Sequence, residues 1–196
     1  MTEISFLTGE LLLAGIWIAV RAGLGIARGR TDRKREALLL LMYVNLAVLL
    51  RFTFYPMSRV NGKIQPLRFD AGAVWPPKVN LLPLVHLTAY DTGRDLLLNL
   101  IGNFTMFIPS GILFPVLFPR LRSFGKTVAA GAALSLCIEL MQLLFFDRTT
   151  DIDDLLLNTA GCAAGYLIYA GLRQLCKKNR RYPDSRADRK EHETLT

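Results

Sequence analysis

Polar and charged groups recur at helical spacing inside stretches that are otherwise apolar. Asp95, Asn99 and Asn103 follow one another at four-residue steps, Glu139 and Gln142 are three apart, and Asp154 and Asn158 are again four apart. Steps of three and four put side chains on one face of a helix. Arg51 closes one apolar stretch, and the segment from Arg148 to Asp154 adds a second guanidinium and the carboxylates of Asp151, Asp153 and Asp154. Guanidinium groups bind phosphate or carboxylate through a rigid fork of N–H donors, and amides offer both donors and acceptors. One chemistry is therefore ligand binding by Arg51, Asn99, Asn103, Gln142, Arg148, Asp151, Asp153 and Asn158. The other is catalysis, with Glu139 and Asp154 as the acid or base of a membrane-embedded enzyme, or the acidic group as a divalent-metal site. Plain structural roles compete with both. Amides can be interhelical glue worth about 1 kcal/mol each, and Asp153 and Asp154 can simply sit where a helix N-terminus favours negative charge.

Other reactive constellations are missing. There is no G-x-S-x-G, H-E-x-x-H or phosphate-loop motif. Cys137, Cys162 and Cys176 form no C-x-x-C pair, and His86 has no second ligand at metal-binding spacing. No cofactor and no metal are expected. The formal net charge of +8 comes without zinc-ligand spacing or an aromatic RNA-binding pattern, so nucleic acid is not an expected partner.

The elements that must position these groups are membrane helices. The chain has 196 residues, 52% of them hydrophobic. The apolar residues fall in blocks at 6–27, 37–55, 96–118, 127–146 and 155–175, each near the ~20 residues that cross a bilayer core. This predicts an all-α integral membrane bundle of about five transmembrane helices. The first block keeps Glu10 and Arg21 and lacks a small-residue cleavage site, so it reads as a retained span. Residues 1–34 form the first helix and a basic loop, 35–175 the main membrane domain, and 176–196 a basic, disordered tail.

Lys and Arg crowd the connection at 28–35, the turn holding Arg120, Arg122 and Lys126, and the tail with Lys177 and Lys178. Cytoplasmic loops carry this excess. The expected topology is therefore N-terminus outside and C-terminus cytoplasmic. The polar in-span groups then gather in a chamber at the outer leaflet. The loop at 56–94 contains Asn80 to Leu87, an apolar stretch broken by Pro83 and too short to span, which suggests a re-entrant or interfacial segment over the chamber. Pro109 and Pro115 leave the carbonyls of Thr105 and Gly111 without helical donors. Gly161 and Gly165 make a small-xxx-small face suited to close helix packing within the chain.

Several stretches together resemble the VanZ-like family of membrane proteins. They are Asn99-Leu100-Ile101-Gly102-Asn103-Phe104-Thr105-Met106-Phe107-Ile108-Pro109-Ser110-Gly111, the Ser135 to Gln142 segment with Ile138-Glu139, then Arg148-Thr149-Thr150-Asp151-Ile152-Asp153-Asp154 and Asn158-Thr159-Ala160-Gly161. Asn80-Leu81-Leu82-Pro83 and Arg51-Phe52-Thr53-Phe54-Tyr55-Pro56 resemble the family's opening segments, although Leu84 stands where an aromatic is common. The resemblance covers residues 35–172. It implies a small multi-pass protein of the bacterial cytoplasmic membrane. The family is named for a glycopeptide-resistance cluster whose member raises tolerance to teicoplanin, and the resemblance supplies no established reaction. The partner expected on this reading is a membrane lipid or lipid-linked envelope precursor, with the oligomeric state left open.

Overall fold

The computed structural model describes residues 2–26, 32–55, 59–70, 72, 75, 78–83 and 93–181. Among the described residues five helices are long and apolar enough to cross a membrane: α1 (Phe6–Ile26), α2 (Arg33–Phe54), α3 (Gly93–Leu117), α4 (Phe124–Gln142) and α5 (Ile152–Arg181). The chain is a multi-pass membrane protein. Most exposed large hydrophobics, among them Leu40, Leu97, Leu140 and Leu167, lie on these helices, as expected where the solvent is lipid.

Successive helices run antiparallel, as the side-chain pairs between them require. Phe6 meets Tyr55, and Trp17 meets Tyr43. Arg21 pairs with Glu36 at 2.5 Å, and Asn45 reaches Met106 and Ser110. Ser135 meets Asn158, and Phe124 meets Tyr166. The basic segments therefore share one end of the bundle. We call the other the strand end, because short strands knit its loops together. There β1 (Thr2–Ile4) pairs antiparallel with β4 (Leu67–Phe69), which places Glu3 opposite Arg68. β2 (Arg59–Val60) and β3 (Lys63–Ile64) form a hairpin through Asn61 and Gly62, both at positive φ. β5 (Val79–Asn80) runs parallel to β6 (Thr150–Asp151).

The closest packing joins α3 and α5, which run parallel. A Cβ on Gly161 would strike the Phe104 carbonyl oxygen, one on Gly165 that of Ile108, and one on Gly111 that of Cys162. The two backbones touch because no side chain stands between them. The small-residue face of α5 is thus used within the chain.

A polar contact inside the bundle joins α2 to α3 beside a helix-interior proline. Pro109 removes the donor for the Thr105 carbonyl. One residue on, Asn45 Nδ2 donates to the Met106 carbonyl at 3.0 Å, while its Oδ1 accepts from the fully buried Ser110 hydroxyl at 2.5 Å. Asn45→Leu would remove both hydrogen bonds between α2 and α3 and take away the partner of the buried Ser110 hydroxyl. It should lower unfolding stability in detergent by about 1–3 kcal/mol, with Ser110→Ala recovering part of that loss in the double variant.

Two features depart from the hydropathy pattern. The fourth helix stops at Gln142 rather than continuing to residue 146, because Phe145 turns inward to pack edge-on against Phe54 and Phe69. Asp70 N–H donates to the Leu144 carbonyl and Phe146 N–H to that of Arg68, so this apolar segment continues the β4 edge. The last helix passes residue 175 to Arg181. The rest of the expected tail, and the part of the re-entrant segment from Leu84 to Leu87 with His86, lie outside the described residues.

Candidate functional site

At the strand end α3, α4 and α5 bring their polar residues into one connected cluster. Asn103, 8% exposed, donates from Nδ2 to the Asp154 carboxylate and, at 3.4 Å, to Asn99 Oδ1. Asn103 and Asp154 thus join the two helices on the strand-end side of their closest backbone approach, with Asn99 beside them. Asp95 lies one turn earlier on α3, its side chain outside the described residues.

Glu139, only 2% exposed, is held by the loop that follows its own helix. Its Oε2 accepts from the Asp151 N–H at 3.0 Å, and its carbonyl accepts from the Thr150 hydroxyl at 2.7 Å. The carboxylate therefore fixes β6 onto α4. Asp151 in turn organises the start of α5. Its Oδ1 accepts from the Asp153 N–H at 2.9 Å, as a capping side chain does, and from Asn80 Nδ2 at 3.2 Å across the β5–β6 pair. Asp153 and Asp154 fill the first turn of α5, where the helix dipole favours anions. One turn further, Asn158 Nδ2 donates to the Ser135 hydroxyl at 2.9 Å. Among the described residues no three His, Cys, Asp or Glu side chains converge to hold a metal ion.

A second set closes the C-terminus of α2. The last carbonyls of any helix lack intrahelical donors and attract cations. Here Gln142 Nε2 donates to the Thr53 carbonyl at 2.8 Å, Arg148 Nε to that of Phe54 at 2.7 Å, and Arg51 Nη1 to that of Tyr55 at 3.0 Å. The Arg51 guanidinium also lies over the Phe6 and Phe52 rings. These contacts were not legible as pairings, because their acceptors are backbone atoms that every residue carries.

Among the described residues three side-chain atoms are buried without a hydrogen-bond partner: Gln142 Oε1, Arg148 Nη2 and Asn158 Oδ1. Beside them Arg68 engages Asp147 through Nε at 2.7 Å and through Nη2, tying β4 to the α4–α5 loop. That hydrogen-bonded pair holds the Asp147 carboxyl below the usual carboxylate range. Burial pushes the Arg148 guanidinium down from its ordinary value, and the neighbouring Asp147 opposes this.

The residues that build this cluster span the segment over which the VanZ/LLP1 family model matches the chain, residues 40–174. The chain belongs to the VanZ/LLP1 family. It is 35% identical over 88 residues to Protein VanZ of Enterococcus faecium, an alignment covering 45% of this chain and 52% of that protein. The chain thus matches about half the length of that relative. No solved structure matches it. The family match takes in α3 and α4 and most of α2 and α5, and with them Arg51, Asn99, Asn103, Glu139, Gln142, Arg148, Asp151, Asp153, Asp154 and Asn158. The strand β1 and helix α1 precede it.

The VanZ/LLP1 segment also contains polar residues that spacing alone had not singled out. Asn45 is a lone amide in an apolar span, and its partner Ser110 follows Pro109 directly. A polar group in a span is itself a signal, but nothing in the spacing says which helix it faces.

Proposed function

We propose that this VanZ/LLP1 protein binds an amphiphile of the outer membrane leaflet, a lipid or a lipid-linked envelope precursor, at the strand end of its bundle. The observation that carries this reading is the set of unpartnered buried atoms, Gln142 Oε1, Arg148 Nη2 and Asn158 Oδ1, beside the in-span carboxylates of Glu139 and Asp154. A buried polar atom without a partner costs about 1–3 kcal/mol, so such atoms are kept where a ligand or water completes them. Their mixture of donor and acceptors suits a phosphate- and hydroxyl-bearing headgroup better than a bare ion.

The basic segments share the opposite end, and the positive-inside rule assigns that end to the cytoplasm. The strand end then faces outward in the cytoplasmic membrane of a bacterium. A lipoglycopeptide with an acyl tail meets the membrane at that depth, so occupancy of the site is a physical route to altered envelope properties and teicoplanin tolerance. A second reading, a membrane-embedded enzyme acting on the same headgroup, draws on the placement of Glu139 and Asp154 in one polar cluster on neighbouring helices.

Native mass spectrometry of the full chain, extracted gently from its own membrane, tests the proposal. Wild type should retain one defined lipid class, and folded Asn103→Ala and Glu139→Ala variants should retain at least fivefold less. Equal retention by all three, or enrichment of nothing by wild type, overturns it.

A further inference from the structure

A polar cavity of about 460 Å³ opens at the strand end between β1, β4 and the α4–α5 loop, outside the α3–α5 cluster. Its lining includes Glu3, Gln65, Arg68, Asp147 and Arg148, all of them outside the spans, and of these only Arg148 also reaches the C-terminus of α2. The geometry points to this cavity as a docking site for a zwitterionic phospholipid headgroup, one that carries a phosphate and a primary amine. This inference deepens the binding reading above and rests on it.

Three observations on separate parts of the chain agree. The first is an unused donor. Arg148 lines the cavity, its Nε is committed to the Phe54 carbonyl, and its Nη2 is buried without a partner. The atom is closed to solvent, so a phosphate oxygen in the cavity reaches it when the Arg148 side chain turns toward the opening, and the guanidinium then makes the bond charge-assisted. The second is charge balance. The two guanidinium groups, Arg68 and Arg148, face two carboxylates, Glu3 and Asp147. Arg68 is hydrogen-bonded to Asp147 and also faces Glu3 across the strand pair, but it forms its ion pair with Asp147, so Arg148 and the exposed Glu3 carboxylate are the cation and anion offered to a ligand that itself has one of each. A purely anionic headgroup would meet Glu3 unfavourably. The third is depth. The Glu3 strand ends one residue before Ser5, and the first span begins at Phe6, while the Arg148 loop joins the fourth and fifth spans. Both sides of the cavity therefore stand at the boundary of the apolar core, where phospholipid headgroups lie.

The amine is read by Glu3 only if it carries N–H donors. Phosphatidylethanolamine has three and phosphatidylcholine none, whereas both present the same phosphate to Arg148. Full-length protein in nanodiscs of equimolar phosphatidylethanolamine, phosphatidylcholine and phosphatidylglycerol, analysed by native mass spectrometry for the lipid it retains, separates the cases. Wild type should favour phosphatidylethanolamine over each of the others about tenfold, the scale of one charge-assisted hydrogen bond. Glu3→Gln, an exposed substitution on a backbone-paired strand, should bring phosphatidylethanolamine and phosphatidylcholine within twofold of each other. Arg148→Gln should lower retention of both. Free O-phosphoethanolamine at millimolar concentration should leave the lipid bound, because its acyl chains hold it at that depth. Displacement by the free headgroup overturns the assignment to lipid. Retention in the proportions supplied, or a preference for phosphatidylglycerol unchanged by Glu3→Gln, overturns the cavity assignment. If the preference survives Glu3→Gln and Arg148→Gln but disappears in Asn103→Ala, the cavity assignment fails while binding at the α3–α5 cluster stands.

Discussion

Gly161→Ala is expected to destabilise the bundle by about 1–3 kcal/mol, the usual effect of forcing extra volume into a packed contact. Gly161→Val is expected to leave little folded protein. The new Cβ would point at the Phe104 carbonyl oxygen, a backbone atom that cannot rotate aside. α3 and α5 must then separate along a line that also carries Gly165 against Ile108 and Gly111 against Cys162. Asn103 and Asp154 bridge the same two helices, so separation breaks their hydrogen bond and leaves a carboxylate unpaired within a span. The site and the fold are thus lost together. Gly102→Ala provides the contrast. It lies on α3, but a Cβ there meets nothing within 4 Å. That substitution should be neutral or raise stability by up to ~1 kcal/mol, because glycine in a helix interior is entropically costly. Thermal unfolding of the variants in one detergent, followed by circular dichroism, reads both effects. A Gly161→Ala protein that melts with wild type refutes the close α3–α5 contact.

The parts of this architecture that the sequence displays are those encoded by runs or by fixed spacing. Apolar stretches of span length mark the helices because lipid imposes one requirement on every residue of a stretch. The four-residue steps of Asn99, Asn103, Asp154 and Asn158 mark a face because helix geometry repeats. What stayed hidden is short or tertiary. Strands of two or three residues, such as β1 and β5, offer no period to detect. Leu143 to Phe146 reads as more helix, since it is apolar, yet it turns because Phe145 has Phe54 and Phe69 to pack against. Arg51, Gln142 and Arg148 stood out as polar groups near a membrane boundary. Their convergence on three consecutive carbonyls, Thr53 to Tyr55, depends on where α2 ends relative to the α4–α5 loop. Glu3 and Arg68 carry no signal at all until β1 and β4 are paired.

Glu139 is where binding and catalysis predict different outcomes, and the discriminating variant is Glu139→Gln rather than Glu139→Ala. The carboxylate accepts the Asp151 N–H through Oε2. Glutamine keeps an acceptor oxygen of the same reach, so β6 and the Asp151 cap on α5 should hold, with stability within about 1 kcal/mol of wild type. Alanine removes the acceptor, leaves a buried N–H unpaired and should cost about 1–3 kcal/mol, loosening the loop that carries Arg148. If the site binds and does not react, Glu139→Gln should retain its lipid within threefold of wild type and preserve whatever envelope phenotype the wild-type gene confers, while Glu139→Ala loses both. If Glu139 transfers a proton, Glu139→Gln should still hold its lipid but abolish the phenotype, because an amide cannot cycle between acid and base. Lipid retention and phenotype measured on the same two variants therefore separate the readings. Retention without phenotype in Glu139→Gln would overturn the binding-only proposal in favour of chemistry at this carboxylate.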